Sequence, residues 1–138
     1  MQYFIKENEL NTFNYGGVSS ASFFLYLNNI NGIYDSFERD IEFKEIKGRD
    51  GDLVIDNQRR KSKTLSLECF IDLEKATKDL DTLSEEIENW IQDTMEYKTL
   101  SFSNSKKTFS AICSNQIKIS EALKNLAIVQ IRFKVQPN

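Results

Sequence analysis

Apolar residues fall on every second position through most of the chain, the period of a strand with one buried and one wet face. The clearest stretch lies near the C-terminus, where Ala127, Val129, Ile131, Phe133 and Val135 share one face and Gln130, Arg132, Lys134 and Gln136 the other, until Pro137 stops the strand. Leu65, Leu67, Cys69, Ile71 and Leu73 repeat the pattern. So do Leu100 with Phe102, then Phe109, Ala111 and Cys113, then Ile117 with Ile119. Shorter pieces precede them: Tyr3 to Lys6, a stretch around Thr12 to Tyr15, and Ser22 to Leu27, with Gly16-Gly17 as a turn. A polar loop through Asn28, Asn29, Asn31 and Gly32 is expected next, then a strand from about Phe37 to Ile46 with Ile41 and Phe43 on one side, partnered by Asp52 to Asn57.

One segment breaks the period. From Thr77 to Met95, Leu80, Leu83, Ile87, Trp90, Ile91 and Met95 recur at spacings of three and four, which predicts an amphipathic helix. Thr82 and Glu85 fit a capping box, and the start is placed between Thr77 and Thr82. Trp90 reads as the helix's anchor in the core rather than as a sugar-stacking platform. The predicted fold is mainly β (α+β): an antiparallel β-sandwich with one packed amphipathic helix.

At 138 residues the chain is long enough for one domain with its own core. The absence of histidine removes the commonest general base, the commonest zinc ligand and every Ser-His or Cys-His pair at once, so no enzyme is expected. Cys69 and Cys113 sit far apart in apolar stretches and read as buried free thiols. No metal-ligand spacing is present, and no cofactor is expected. No apolar run approaches the roughly 18 residues of a membrane span, and the N-terminus lacks a signal-peptide layout, so a soluble product of the cytoplasm is expected, with no membrane contact.

The formal charge of −3 hides an uneven distribution. Residues 72 to 96 carry nine acids against two lysines, whereas residues 44 to 63 carry seven bases against four acids. Opposite patches on one chain predict association between copies, head to tail. The run Arg59-Arg60-Lys61-Ser62-Lys63 reads as a solvated loop between strands, and no aromatic between Asn57 and Leu65 is available to stack a base, so no nucleic-acid contact is required.

Gly48-Arg49-Asp50-Gly51-Asp52-Leu53 is the most distinctive hexapeptide: two glycines three apart permit positive φ twice, and Asp-Gly marks a hairpin turn between Ile46 and Leu53. A calcium loop fails on spacing, since Val54 and the lack of a closing glutamate break the ligand pattern. Glu85, Glu86 and Glu88 fall on the solvent side of the helix, against a glycosidase pair.

That hexapeptide, the helix ending Ile87-Glu88-Asn89-Trp90-Ile91, then Tyr97-Lys98-Thr99-Leu100-Ser101-Phe102-Ser103 and the closing Ile131-Arg132-Phe133-Lys134-Val135-Gln136-Pro137 resemble, in this order, the N-terminal domain of the distal tail proteins of long-tailed phages. The likeness covers about residues 35 to 138. It implies a single ring-forming domain over residues 1–138, with an extended β-hairpin arm at about 35–60 and a helix at about 79–95. It further implies six copies closing into a ring through the arm, in a phage or prophage tail tip, between the tail tube protein and the tail hub protein with its receptor-binding apparatus. The resemblance carries ring contacts to Gly48, Arg49, Asp50, Gly51, Asp52 and Leu53 and to the flanking strands, among them Phe43, Arg59 and Arg60. Two departures stand out: many relatives continue into a second domain where this sequence reaches Asn138, as a minimal version or a cut chain would, and many carry an aromatic near Arg59 or Arg60. The other reading is a carbohydrate- or host-surface-binding sandwich module of a baseplate. It calls for exposed aromatics in a concave site, whereas most aromatics here fall on core positions.

Overall fold

A computed structural model describes residues 10–123 and 125–137. The strand expected at Tyr3 to Lys6 lies outside them. The described residues form β1 (Phe13–Tyr15), β2 (Val18–Ser19), β3 (Leu25–Asn31), β4 (Arg39–Glu45), β5 (Asp52–Arg60), β6 (Lys63–Asp72), helix α1 (Leu80–Gln92), β7 (Lys98–Phe102), β8 (Ser105–Ile112), β9 (Lys118–Leu123) and β10 (Leu126–Gln136). The architecture is mainly β with one helix, as the alternation predicts.

Eight strands make one antiparallel sheet in the order β2-β1-β7-β8-β10-β6-β3, with β9 also on β10. β10 organises it. One edge of this strand pairs with β6 from Leu126 to Val135, while the other is shared by β9 over its first half and β8 over its last residues. The sheet then curls until β3 reaches back toward β1: Leu27 N donates to the Asn11 carbonyl at 2.8 Å. The two layers of the expected sandwich are thus parts of one curled sheet, closed by twist rather than by a second sheet.

The inward positions are the alternating ones. Leu65, Leu67, Cys69 and Ile71 of β6 and Ala127, Val129, Ile131, Phe133 and Val135 of β10 are all buried, meeting Phe13, Tyr15, Leu25, Leu100 and Ala111. Helix α1 adds Leu83, Ile87 and Ile91. Trp90 lies between Phe13 and Phe23, with ring centroids at 5.3 and 4.8 Å, and its Nε1 donates to the Tyr15 carbonyl at 3.0 Å. Both cysteines are buried and free; burial pushes the Cys69 thiol up to about 12 and raises that of Cys113.

Several boundaries differ from the sequence expectation, each for a local reason. Asp79, not Thr82, caps α1, its carboxylate accepting from Thr82 N at 2.9 Å. The helix stops at Gln92, which leaves Met95 outside the seam and 58% exposed. Ser20–Phe23 form a 3-10 turn ended by Phe24 in the left-handed region, so the strand expected from Ser22 begins only at Leu25. The expected polar loop is instead the second half of β3, where Asn29 and Asn31 pair with Glu68 and Ser66 beyond a bulge.

Candidate interaction surface

β4 and β5 form a separate two-stranded sheet. They pack on each other and make no extensive contact with another element. Register runs from Glu45 opposite Asp52 to Ile41 opposite Asp56, and again at Arg39 opposite Arg60. Between the last two pairs the residues Asn57, Gln58 and Arg59 face Asp40 alone. Gln58 takes a positive φ of 60° to make this bulge, which is tied to one carboxylate: Asn57 Nδ2 and Arg59 Nε donate to Asp40 at 3.2 and 2.6 Å. Asp56 accepts from Gln58 N at 2.8 Å and from Arg39 at 2.6 Å. The side chains of Asn57 and Arg59 hold the Asp40 carboxyl below its usual range, and the Gln58 amide followed by Arg39 does the same for Asp56.

At the far end residues 46–51 connect the two strands, in the place where the Asp-Gly turn was expected. Gly48 and Gly51 both have φ of +83°, with open space where a Cβ would stand, so conformation rather than room demands glycine there. Arg49 N donates to the Ile46 carbonyl at 3.2 Å, and Arg49 and Asp50 are exposed between the glycines.

Alternation along the hairpin puts apolar groups on both faces. Phe43 opposes Val54 on one, and Leu53 and Ile55 stand on the other beside Lys44 and Glu42. All four apolar side chains are exposed, Phe43 by 65% and Val54 by 55%. Arg59 and Arg60 belong to β5 and not to a loop, with only two residues left before β6. This corrects the charge picture. Pairing sets Glu38 and Asp40 beside the basic run, and Glu38 to Lys61 together hold seven bases and seven acids, so the folded hairpin is neutral rather than basic.

The base of the hairpin is held by residues that sequence reasoning passed over. Lys63 donates to the Asp35 carbonyl, and its Nζ stands 4.8 Å from the Phe37 ring centroid and 5.2 Å from that of Phe109. Lys107 Nζ donates to the Ile33 carbonyl at 3.4 Å and lies 5.3 Å from the Tyr34 ring centroid. Arg60 also lies over the Phe37 ring, 5.6 Å from its centroid. Desolvation, then the like charge of Lys107, lowers the Lys63 ammonium. The only signal in the sequence was a lysine ending the basic run.

Elsewhere, the acids of α1 face solvent, with Glu86 paired to Lys78 at 2.6 Å. Among the described residues no three His, Cys, Asp or Glu side chains gather as a metal-holding group. The projecting, internally neutral hairpin with two apolar faces is therefore the surface most in need of a partner.

Residues 18–135 match the family described as the phage tail protein RIFT-related domain. Among solved structures the fold is similar to that of the Dit protein (gp 19.1) of phage SPP1, described as a paradigm of hub adsorption apparatus in phages infecting Gram-positive bacteria. The match has a TM-score of 0.73 at 14% identity and covers 93% of this chain. The chain spans half the length of that relative. No curated protein matches it.

Proposed function

Because the chain belongs to the phage tail protein RIFT-related domain family, we propose that it is a structural, ring-forming adaptor of a phage or prophage tail tip, part of the virion and without catalysis of its own. In this reading six copies close into a ring through residues 39–60 of the arm, and the ring joins the tail tube protein to the hub protein with its receptor-binding apparatus. The observation that carries it is the hairpin itself. A lone two-stranded hairpin is marginal in water, and this one exposes Phe43, Leu53, Val54 and Ile55 at once.

Gly48 to Leu53 and the apolar residues beside them then contact a neighbouring copy, while Arg59 and Arg60 stiffen the arm's base through Asp40 and Phe37. The mechanism is geometric: arms hold the ring, and its two flat sides present docking faces to tube and hub. Light scattering on the purified chain is the test, with electron micrographs of the same sample. A mass of six 16.0 kDa chains and ring-shaped particles are expected. A strict monomer across concentration that captures a glycan would overturn the reading in favour of a surface-binding module.

A further inference from the structure

β3 ends the large sheet. One of its edges pairs with β6 from Leu25 to Asn31, whereas on the other the described residues supply a single antiparallel bridge, Asn11 opposite Leu27. Thr12 already belongs to the far side, where its carbonyl accepts from Ser103 N at 2.9 Å and its N–H donates to the Ser103 hydroxyl at 2.8 Å. Past Leu27 the edge of β3 is open among the described residues. Asn28, Asn29 and Asn31 are exposed and Ile30 half-buried, without the lysine or proline that commonly blunts a bare edge. A cleft of about 190 Å³ is lined by this edge and by the β7–β8 turn. Asn11, Asn29 and Asn104 give it carboxamides, and Ile30, Ile33 and Tyr34 give it apolar surface, Tyr34 being 77% exposed.

We propose that residues 1–9 of the same chain are the strand that covers this edge. Chain direction decides the occupant. An antiparallel bridge at Asn11 and Leu27 sends the residues before Asn11 toward those after Leu27, so the open edge meets a segment already tethered to it, with no further loop to close. The count agrees. Ile5 lies six residues before Asn11 and Ile33 six after Leu27, which brings Tyr3, Phe4 and Ile5 to the apolar end of the cleft. Glu7 and Glu9 then come beside Asn31 and Asn29. No acid lines the cleft among the described residues to repel them, and Lys107 is close by on the Ile33 carbonyl. The strand expected at Tyr3 to Lys6 thereby gains a neighbour, and the uncharged edge of β3 is closed against pairing with another chain.

Two measurements on the full chain test this. Asn29→Cys is combined with Glu9→Cys, or with Asn8→Cys to cover the one-residue shift that the bulge between Leu27 and Asn29 permits. Glu9→Cys with Asn57→Cys, on the arm, is the control, and the native thiols of Cys69 and Cys113 are buried. Under mild oxidation one of the two facing pairs should close at least tenfold faster than the control, within one chain, as a monomer band on a non-reducing gel. Separately, Ile5→Asp should speed amide exchange over residues 28–31 at least tenfold over the parent, while the buried Leu67 and Ile131 keep their rates. If circular dichroism shows that the cysteine pairs disturb the fold, the exchange measurement alone decides. Facing pairs that close no faster than the control overturn the proposal, and so does exchange unchanged by Ile5→Asp. Crosslinks found only between chains overturn it too, assigning the edge to a second copy.

Discussion

The arm and the body are both antiparallel β-structure, and they solve opposite problems. Along β10 every second side chain from Ala127 to Val135 is buried, and β6 does the same on the adjoining strand. Along β5 all nine residues are exposed. Strict alternation suits one buried face. In the hairpin the apolar residues Phe43 and Val54 fall in one phase and Leu53 and Ile55 in the other, so neither face is committed to the chain's own core. The body is thus stabilised by burial within one copy. The arm is held by hydrogen bonds around Asp40 and Asp56 and by the lysines at its base, and its apolar side chains stay exposed.

Truncating one aromatic in each region should break the likeness between them most sharply. Phe133 is fully buried and packs on Tyr15 at 4.9 Å and on Phe13 at 6.5 Å. Phe133→Ala should cost about 3–5 kcal/mol in denaturant unfolding. Phe43→Ala removes a ring already in water and should leave the monomer's stability unchanged within about 0.5 kcal/mol. Equal losses would mean that the arm folds back on the body in solution.

The same contrast explains what was legible beforehand. Phase alone locates β6, β7, β8 and β10, because their buried positions are apolar and alternate, and it locates α1 through Leu83, Ile87 and Ile91. Phase cannot report lateral neighbours. Asn29 and Asn31 read as loop residues because nothing in their own segment says that β6 continues beside them, and the basic run reads as solvated because Asp40, nineteen residues before Arg59, is invisible to a local window. For the same reason the charge of the hairpin looked positive. Phe70 and Ile128 were legible only as apolar residues out of phase, and their joining Tyr26 in one row depends on register.

A smaller perturbation sharpens the comparison at the turn. Gly51→Val puts a β-branched residue at φ of +83°, which costs roughly 1–2 kcal/mol. The cost should appear as faster amide exchange in residues 52–60 with the melting temperature unmoved, since the arm opens as its own unit. In the body, Asp79→Ala removes the cap of α1 and should lower global stability by about 1 kcal/mol, because Leu83, Ile87 and Ile91 tie the helix to the core. A melting temperature lowered by the turn variant and spared by the cap variant would reverse the assignment of the two regions.

The gentlest probe is acid. Asp40 and Asp56 have folded pKa values below their unfolded ones, so their contribution is present above the unfolded value of about 3.9 and fades as pH falls through the folded values. Acidifying from pH 7 through the folded values should therefore release the bulge, since protonated Asp40 no longer holds Arg59 by charge. Asp79 carries a lowered pKa as well, from its bonds to Thr82, so the cap of α1 weakens over the same range. The two regions part in consequence. The helix keeps its buried seam when the cap weakens, whereas the hairpin has no core beneath it. Amide exchange at Asn57, Gln58 and Arg59 should accelerate while Leu67 and Ile131 stay protected, and 1 M salt at neutral pH should reproduce a fraction of the effect by screening the exposed pairs. Uniform acceleration across arm and body would show that the hairpin is coupled to the core after all.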